Sequence, residues 1–355
     1  FTASLIAPLY VCHVLRILEQ AKKNGIQNLF FLARDGYILY LIAQRFQSLY
    51  PDIKFEYIYV SRKSLYLPGI FKIEHVDLYS LLTPENGQTI KEVLDRLSID
   101  FSKIADNDFL EIELNETNKE LLYDFLKKEE VINYIEHEAN VARKLLIEYF
   151  VQVGLASKND RNAIVDLRGT RTSHEMINNI LTHFEYLSVE GFYFEVVGDR
   201  KQISTAGMYY ADLYREKLSV NQNLMGIFQH YFLFEQFFSL TDQNRTIGYT
   251  KETSTDIITP IFEDEIIGED QVKIAKMHYN IVENFTVLFI QTKLYLFVNL
   301  LYHNFILQVI CQFGLNPSKK YLEALVGFNS TNNKYSYKNY IKKFSLHEWF
   351  YVFLF

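Results

Sequence analysis

Short apolar runs that end abruptly in charged turns are the main pattern along this chain of 355 residues. Residues 29–33 are apolar, and residues 34–36 then supply an arginine, an aspartate and a glycine. Apolar residues recur at helical spacing from position 38 to position 46. This change of period predicts a buried strand, a tight charged turn and a helix.

A second strand and charged turn follow directly. Residues 55–60 are apolar and aromatic, as in a buried strand, and they stop at the polar residues 61–64. In a parallel sheet with a right-handed crossover, the carboxyl ends of adjacent strands are neighbours. We therefore expect Arg34, Arg62 and Lys63 to converge on one anion, with backbone N–H groups at the start of the first helix adding to the positive field.

A third strand and turn occur further along the chain. Residues 163–165 predict the strand, Asp166 ends it, and a helix resumes over residues 174–181. The loop between them offers N–H groups, hydroxyl groups and positive charge beside a helix amino terminus, which suits a phosphate monoester. It is not a Walker loop, because the GxxxxGK[ST] spacing is absent. Its candidate ligands are Arg168, Gly169, Thr170, Arg171, Thr172 and Ser173.

These segments carry a resemblance to a known family. FLARDG, followed by a helix and then YVSRKS, with DLRGTRTS after an insertion, resembles the phosphoribosyltransferase fold. More narrowly, the chain is similar to the glycan phosphoribosyltransferase modules of bacterial polysaccharide biosynthesis, which often lie beside haloacid-dehalogenase-like phosphatase domains. The likeness covers residues 1–197 and extends weakly over residues 234–249.

The resemblance implies that the first two turns bind the diphosphate of phosphoribosyl diphosphate (PRPP). The matching residues are Arg34, Asp35, Gly36, Ser61, Arg62 and Lys63.

It also implies a role for the third turn. Asp166 would hold the ribose hydroxyls, and residues 169–173 would cradle the 5-phosphate. Phosphoribosyltransferases that make nucleotides carry two adjacent acids before this loop, whereas Val165 and Leu167 flank Asp166 here. This departure disfavours a nucleobase as the acceptor.

The implied reaction transfers the 5-phosphoribosyl group of PRPP to a sugar hydroxyl of a growing bacterial surface glycan, such as a capsule or an O antigen. Diphosphate leaves through an oxocarbenium-like state, so the protein has to stabilise a departing polyanion and hold the acceptor. Mg2+ would bridge the diphosphate oxygens and need few protein ligands. The sugar hydroxyl needs a general base, for which Asp35 is the first candidate and Glu235 the second.

The partners implied are the PRPP donor, a glycan acceptor that is either free or lipid-linked, and a separate phosphatase that later removes the 5-phosphate. The expected location is cytoplasmic, with a peripheral position at the inner face of the membrane as an option. A net charge of −7 and a pI near 5.8 disfavour general nucleic-acid binding. Because the first residue is not Met, we expect a longer protein with a partner domain.

The predicted fold is an α/β, phosphoribosyltransferase-like Rossmannoid core with a mainly parallel sheet, a helical insertion and a helical C-terminal region. Residues 1–70 and 161–200 form the core, and residues 71–160 form an insertion that serves as a hood over the site. Residues 201–355 form the aromatic-rich C-terminal region, in which a helix over residues 221–238 presents Glu235.

Further elements follow from the same patterns. A helix before the first strand closes at Gly25, and the apolar run 294–314 favours a buried helix over a membrane span, because polar residues interrupt it. Cys12 and Cys311 each lie in an apolar run, which predicts buried thiols and no disulfide framework.

Each candidate residue also has a purely structural interpretation. Arg34 and Asp35 could form a tight turn in which the aspartate caps the next helix, Arg62 and Lys63 could be solvated surface, and Asp166 could cap a helix. Three turns with net positive charge in an acidic chain favour the anion-site hypothesis.

Three other functions stay open. A noncatalytic module could retain a phosphoribosyl or nucleotide pocket. A haloacid-dehalogenase-type hydrolase needs a DxDx[TV] motif at a strand end, and residues 106–108 do not supply it. A nucleotide-sugar glycosyltransferase lacks any recognisable nucleoside signature here.

Overall fold

A sheet of five parallel strands lies at the centre of the molecule. The strands are β1 (Asn28–Leu32), β2 (Lys54–Ile58), β3 (Asn162–Gly169), β4 (Glu190–Val196) and β5 (Tyr209–Tyr214). Their order across the sheet is β2-β1-β3-β4-β5, so the α/β class and the parallel sheet predicted from the sequence are confirmed. The structure, a computed structural model, describes residues 2–73, 82–85, 87–196, 208–214, 238–264, 266–302 and 308.

Helices surround the sheet, and an antiparallel hairpin of β6 (Thr246–Lys251) and β7 (Ile258–Phe262) forms a separate unit. In the described part of the chain the α-helices are α1 (Ala7–Asn24), α2 (Asp35–Arg45), α3 (Arg62–Tyr66), α4 (Ile90–Leu94), α5 (Asn107–Leu110), α6 (Glu120–Leu126), α7 (Glu129–Gln152), α8 (Thr172–His183), α9 (Glu269–Gln291) and α10 (Val298–Leu301).

Side chains of β1 alternate between two apolar cores. Leu29 and Phe31 are buried with residues of α1, α2 and α9 on one face of the sheet. Phe30 and Leu32 are buried with residues of α7 and α8 on the other face. Because the side-chain period of a strand is two, one short apolar run supplies both cores.

The direction of the chain across the sheet reverses between β1 and β3. β1 leads through α2 to β2, whereas β3 leads through α8 to β4 on the opposite side. Right-handed crossovers in opposite directions place α2 and α8 on opposite faces, as the two cores show. Ligands of open α/β sheets bind at the carboxyl ends of the strands next to such a reversal, so the turns after β1 and β3 are the place to search for a site.

The amino-terminal helix predicted from the sequence is present and packs on α2 and α9. It ends at Gly25, which adopts the left-handed conformation with φ of 67°. Asp212 ties the helix to β5, because its carboxylate contacts His13 Nδ1 at 2.7 Å and accepts a hydrogen bond from Arg16 Nε at 3.1 Å. The ion pair fixes α1 across the sheet edge that β5 forms.

The helical insertion predicted between β2 and β3 is also present. Its buried side chains, between residues 67 and 139, form a core of their own. Arg143 joins this unit to the turn after α3, where its Nε donates to the carbonyl oxygen of Pro68 at 2.7 Å. The turn Asp95–Leu97 contacts α3. The insertion therefore lies beside the polar turn that follows β2.

Beyond residue 200 the described chain contains the helices α9 and α10 and also three strands, which the sequence pattern did not predict. β5 joins the central sheet and β6 and β7 form the hairpin. Tyr, Thr and Ile dominate these segments, and such aromatic and β-branched residues fit a pleated surface better than a helix. The helix predicted over residues 221–238, with Glu235, lies outside the described residues.

One described helical run, Thr2–Asn24, is long and apolar enough to cross a membrane, and 72% of its apolar window is buried inside the fold. α9 and the segment Leu294–Leu301 meet that criterion only together, and they are bent by 84°. Leu296, Phe297 and Leu300 are exposed, so the described start of the apolar run is not the buried helix predicted. Cys12 is buried as predicted, and Cys311 lies outside the described residues.

Substituting Gly191 tests the packing between β4 and α8. A Cβ atom at this position would lie 2.8 Å from ring atoms of His174 and 2.7 Å from Tyr193, closer than atoms can approach. We predict that Gly191→Ala lowers the free energy of unfolding by about 1–3 kcal/mol, the usual cost of overpacking. Urea denaturation measures it, with Gly248→Ala as the matched control, since a Cβ atom there comes no closer than 4.0 Å to Ile261. Equal losses in both variants would contradict the prediction.

Candidate functional site

The turn after β1 is held in a strained conformation by a tyrosine of β2. Arg34 has φ of 74° and ψ of −88°, a region that costs a non-glycine residue about 1–3 kcal/mol. Its backbone N–H donates to the hydroxyl of Tyr57 at 2.8 Å, and that hydroxyl donates to Gln243 Oε1 at 2.5 Å. Burial raises the pKa of Tyr57, so the hydroxyl keeps its proton and this donor role. The surrounding structure thus fixes the turn.

The Arg34 side chain is half-buried, and its Nε is shielded from solvent with no hydrogen-bond partner in the described residues. Asp35 is the first residue of α2, and the residue before the helix makes no side-chain cap. Gly36 is buried, and a Cβ atom there would lie 3.3 Å from the backbone of Phe31. The glycine therefore permits the close approach of α2 to β1, and Asp35 occupies the first position inside α2, one residue after the N-cap position.

The turn after β2 joins α3 to the hairpin. Ser61 caps α3, since its side chain accepts a hydrogen bond from the Ser64 backbone N–H at 3.2 Å. Its hydroxyl also donates to the carbonyl oxygen of Thr246 at 2.6 Å. Arg62 is exposed and forms no ion pair within the described chain. Ser61 thus has a structural duty, whereas Arg62 can reach a ligand.

Lys63, by contrast, is paired with a carboxylate that the sequence did not single out. Its Nζ lies 2.8 Å from Glu263 Oε1, just after β7, and Arg245 Nη1 lies 3.8 Å from Glu263 Oε2. Burial alone would raise the pKa of Glu263, but the hydrogen bond from Lys63 and the charge of Arg245 outweigh burial and lower it. Arg34 contributes to the same effect. Cations of the first two turns and of the hairpin therefore share one field.

The third turn is shorter than the sequence predicted. β3 continues to Gly169, and α8 begins at Thr172, so Arg168 and Gly169 belong to the strand and Asp166 lies within it, not at its end as predicted. The longer strand is explained by pairing, because Arg168 and Gly169 lie opposite Glu195 and Val196 of β4. The helix start predicted at residue 174 is two residues late, since α8 begins at Thr172.

The two arginines of the third turn differ in their surroundings. Arg168 Nε lies 2.5 Å from Glu195 Oε2, and the two side chains are only 10% and 1% exposed. Arg171 is buried in the left-handed conformation, with φ of 65°, and its guanidinium lies 4.0 Å from the centre of the Tyr209 ring. Arg168 is thus neutralised inside the sheet, and Arg171 is held by an aromatic ring.

The remaining polar groups of the third turn surround the amino terminus of α8. Thr170 is exposed, and its hydroxyl lies 2.8 Å from that of Thr172. Thr172 and Ser173 are the first two residues of the helix, where backbone N–H groups lack helical partners. Asp166 lies opposite Tyr193 of β4, and burial followed by the charge of Asp166 raises the pKa of that tyrosine. Hydroxyls, N–H groups and one carboxylate thus share this end of β3.

Arg34 and Arg171 occupy equivalent positions on the two sides of the chain reversal. Each has a positive φ, and each directly precedes the helix that leaves the sheet, α2 after β1 and α8 after β3. β1 and β3 are adjacent, so the two strained arginines flank one crevice. A positive φ also occurs at residues away from this edge, such as Glu185, so the position of the two turns beside the chain reversal, together with their strain, favours the crevice as a ligand site.

The hairpin is the part of the site that the sequence analysis missed. Arg245 lies within the segment 234–249 to which the resemblance extended only weakly, so that segment carried a usable signal. Gln243 lies in the same segment, whereas Glu263 and Tyr57 had no such signal, because their roles depend on contacts between distant parts of the chain.

Among the described residues no group of three or more His, Cys, Asp or Glu side chains could hold a metal ion. The carboxylates near the polar turns are those of Asp35, at the start of α2, and Asp166, within β3. Either could contact a cation carried by a ligand.

His174 generates a prediction about pH. It is fully buried at the start of α8, and its Nε2 lies 2.8 Å from the carbonyl oxygen of Val189. Desolvation lowers its pKa from 6.5 to about 4, so the unfolded chain takes up a proton more readily than the folded chain. Its contribution to stability is complete above pH 6.5 and is lost as the pH falls toward about 4.

We predict that His174→Gln reduces the slope of unfolding free energy against pH by about 1.4 kcal/mol per pH unit in this range. Glutamine keeps a donor for Val189 and does not titrate. Urea denaturation at several pH values measures the slope, and His183→Gln, at the exposed end of the same helix, is the matched control. An unchanged slope in His174→Gln would show that this histidine is not the group that titrates.

Three polar turns and a hairpin therefore form one edge that can bind an anion. Exposed Arg62 and half-buried Arg34 offer positive charge on one side, and hydroxyl and N–H donors lie on the other. Comparison of the chain with protein-family models and with curated proteins found no match. A functional assignment therefore rests on the fold and on the chemistry of these turns.

Proposed function

We propose that this protein is a phosphoribosyltransferase that moves the 5-phosphoribosyl group of PRPP to a sugar hydroxyl of a bacterial surface glycan. The observation that carries the proposal is the placement of three polar turns on the adjacent strands β2, β1 and β3. A ligand with two phosphate-bearing ends fits such an edge better than a single anion does, because donors extend across three strands. The phosphoribosyltransferase-like form of the core belongs to this proposal.

The two ends of the donor would bind different chemistry. The turns after β1 and β2 carry Arg34, Arg62 and Lys63, which suit the charge of a diphosphate. The turn after β3 has Thr170 and the first N–H groups of α8, which suit a phosphate monoester. Asp166 and the strand end between them would contact the ribose hydroxyls. This division assigns the leaving group to the β1–β2 side.

The reaction needs charge stabilisation more than covalent chemistry from the protein. As the bond from the anomeric carbon to diphosphate breaks, negative charge grows on the leaving oxygens, and Arg34 and Arg62 would stabilise it. Magnesium, when bound, would neutralise part of the diphosphate charge, and Asp35, at the start of α2, would contact either that cation or the acceptor hydroxyl. Glu235, the second candidate base, lies outside the described residues.

One observation favours a noncatalytic binding module as the second candidate. Lys63 is paired with Glu263 and Arg168 with Glu195, so these two cations are neutralised inside the protein. A module that only senses a phosphoribosyl compound needs less positive charge than an enzyme that expels diphosphate. Turnover separates the two functions.

The decisive measurement incubates the protein with PRPP, Mg2+ and a panel of oligosaccharide acceptors and follows the products by mass spectrometry. We predict a product that is heavier than the acceptor by one phosphopentose unit, with release of diphosphate. Asp35→Asn should abolish the product and leave PRPP affinity nearly intact, whereas Arg62→Ala should weaken PRPP binding. Arg45→Ala, which removes a similar exposed charge at the far end of α2, is the matched control.

The outcomes distinguish the candidates. PRPP binding without release of diphosphate would favour the sensing module. If PRPP neither binds nor turns over, the transferase proposal fails. If Asp35→Asn loses PRPP binding, Asp35 is a binding or structural group and not the base.

Strain at Arg34 gives an independent test. Glycine accepts a positive φ without cost, and Arg34→Gly keeps the backbone N–H that binds Tyr57. We predict that the free energy of unfolding changes by no more than about 1 kcal/mol, because relief of strain offsets the extra chain entropy of glycine. The affinity for PRPP should fall by about tenfold or more, the value of a charged hydrogen bond.

Calorimetry measures both the free energy of unfolding and the affinity for PRPP, and the two values together decide the role of Arg34. Glu185→Gly relieves a similar positive φ, 60°, in the turn that follows α8, and it serves as the control that should leave PRPP affinity unchanged. A large loss of stability in Arg34→Gly with unchanged affinity would make Arg34 a structural residue.

A further inference from the structure

Two cations from different parts of the chain meet on one carboxylate beside the proposed diphosphate site. Lys63 is the second residue of α3, after the β2 turn, whereas Arg245 and Glu263 lie at the open end of the hairpin, just before β6 and just after β7. Glu263 Oε1 lies 2.8 Å from Lys63 Nζ, and Glu263 Oε2 lies 3.8 Å from Arg245 Nη1. All three side chains are between 25% and 39% exposed, so a solute can reach them.

The elements that carry these groups are fixed. The backbone N–H of Glu263 donates to the carbonyl oxygen of Arg245 at 2.8 Å, which extends the pairing of β6 and β7. The hydroxyl of Ser61 donates to the carbonyl oxygen of Thr246 at 2.6 Å, which ties the hairpin to the start of α3. The backbone at Lys63 and Arg245 is therefore fixed by contacts that do not involve the carboxylate of Glu263.

The charges around this carboxylate are unbalanced. Lys63, Arg245 and Arg34 all act on Glu263, and they outnumber it. Asp95 of the insertion also interacts with Lys63 but forms no ion pair within the described chain. A partly exposed ion pair contributes no more than about 1 kcal/mol, and a diphosphate carries more negative charge than the single carboxylate of Glu263. A polyanion can therefore replace the carboxylate.

The ion pair between Arg168 and Glu195, inside the central sheet, is much more deeply buried. Arg168 and Glu195 are 10% and 1% exposed, so breaking their contact would leave a buried charge without its partner. Of the two carboxylate–cation pairs at this edge, only the one with Glu263 is open to exchange.

We propose that Lys63 and Arg245 form a phosphate subsite in which Glu263 occupies the anion position until a diphosphate group displaces it. The inference rests on the proposed function for the identity of the natural ligand, and it adds Arg245 and Glu263 to the site. Glu263 then acts as a built-in competitor that lowers affinity for the diphosphate end. Such competition would ease release of diphosphate after transfer.

Titration calorimetry with inorganic diphosphate, on the whole chain, tests the subsite without a donor or an acceptor. We expect Glu263→Gln to bind diphosphate about tenfold more tightly than the wild type, because the competing charge is gone while the side chain keeps its size. Arg245→Gln should bind about tenfold more weakly. The double variant Arg245→Gln with Glu263→Gln should gain less from the loss of Glu263 than the wild type does, since one of the two cations is missing.

Glu148→Gln is the matched control. Glu148 Oε2 lies 3.0 Å from Lys251 Nζ at the other end of β6, in a pair of comparable exposure. This variant should bind diphosphate like the wild type. If Glu263→Gln binds no more tightly than Glu148→Gln, or binds more weakly, the carboxylate does not compete and the inference is overturned. Absence of diphosphate binding in every variant overturns it as well.

The two proposals fail separately. Tighter binding by Glu263→Gln, in a protein that does not turn over PRPP, would support the subsite and reject the transferase. Turnover of PRPP with unchanged diphosphate affinity in Glu263→Gln would support the transferase and reject the subsite.

Discussion

The reversal of strand order between β1 and β3 is the constraint on which the rest of the structure depends. It sends α2 and α8 to opposite faces of the sheet, so neither helix covers the carboxyl ends of the two central strands. The turns that start these helices are then neighbours across an open crevice. β1 can supply both apolar cores because Phe30 and Phe31 point to opposite faces. The two apolar cores, one on each face of the sheet, thus bring the polar turns after β1 and β3 together at one edge.

Tertiary contacts maintain backbone strain at this crevice. Arg34 and Arg171 each adopt a positive φ, which local sequence alone would not favour. The hydroxyl of Tyr57 binds the backbone of Arg34, and the ring of Tyr209 lies against Arg171. Both tyrosines belong to strands, the most rigid elements available. Because residues of the sheet contact these turns, the two arginines are held in place before a ligand binds.

The sequence predicted the strands and helices of the core well, because burial on both faces produces apolar runs with sharp ends. It predicted strand β3 too short, since the pairing of Arg168 with Glu195 is a contact between strands and leaves no local pattern. It also missed Glu263, which lies 200 residues from its partner Lys63. The local sequence of a turn indicates its positive charge but not the carboxylates, far away in the chain, that neutralise it. Local pattern thus located the turns, and only the fold shows their net charge.

The burial of these pairs decides which charges a ligand can use. Breaking the contact between Arg168 and Glu195 would deprive a buried carboxylate of this cation. Hydroxyl and N–H donors are therefore the main groups that the β3–β4 side offers to a ligand. Lys63 can leave Glu263, because solvent and a competing anion reach both groups. The donors after β3 are therefore neutral and fixed, whereas the positive charge after β2 is the one that a ligand can use in exchange for a carboxylate. A donor with a phosphate monoester at one end and a diphosphate at the other would bind in one direction only, with its more highly charged end toward the hairpin.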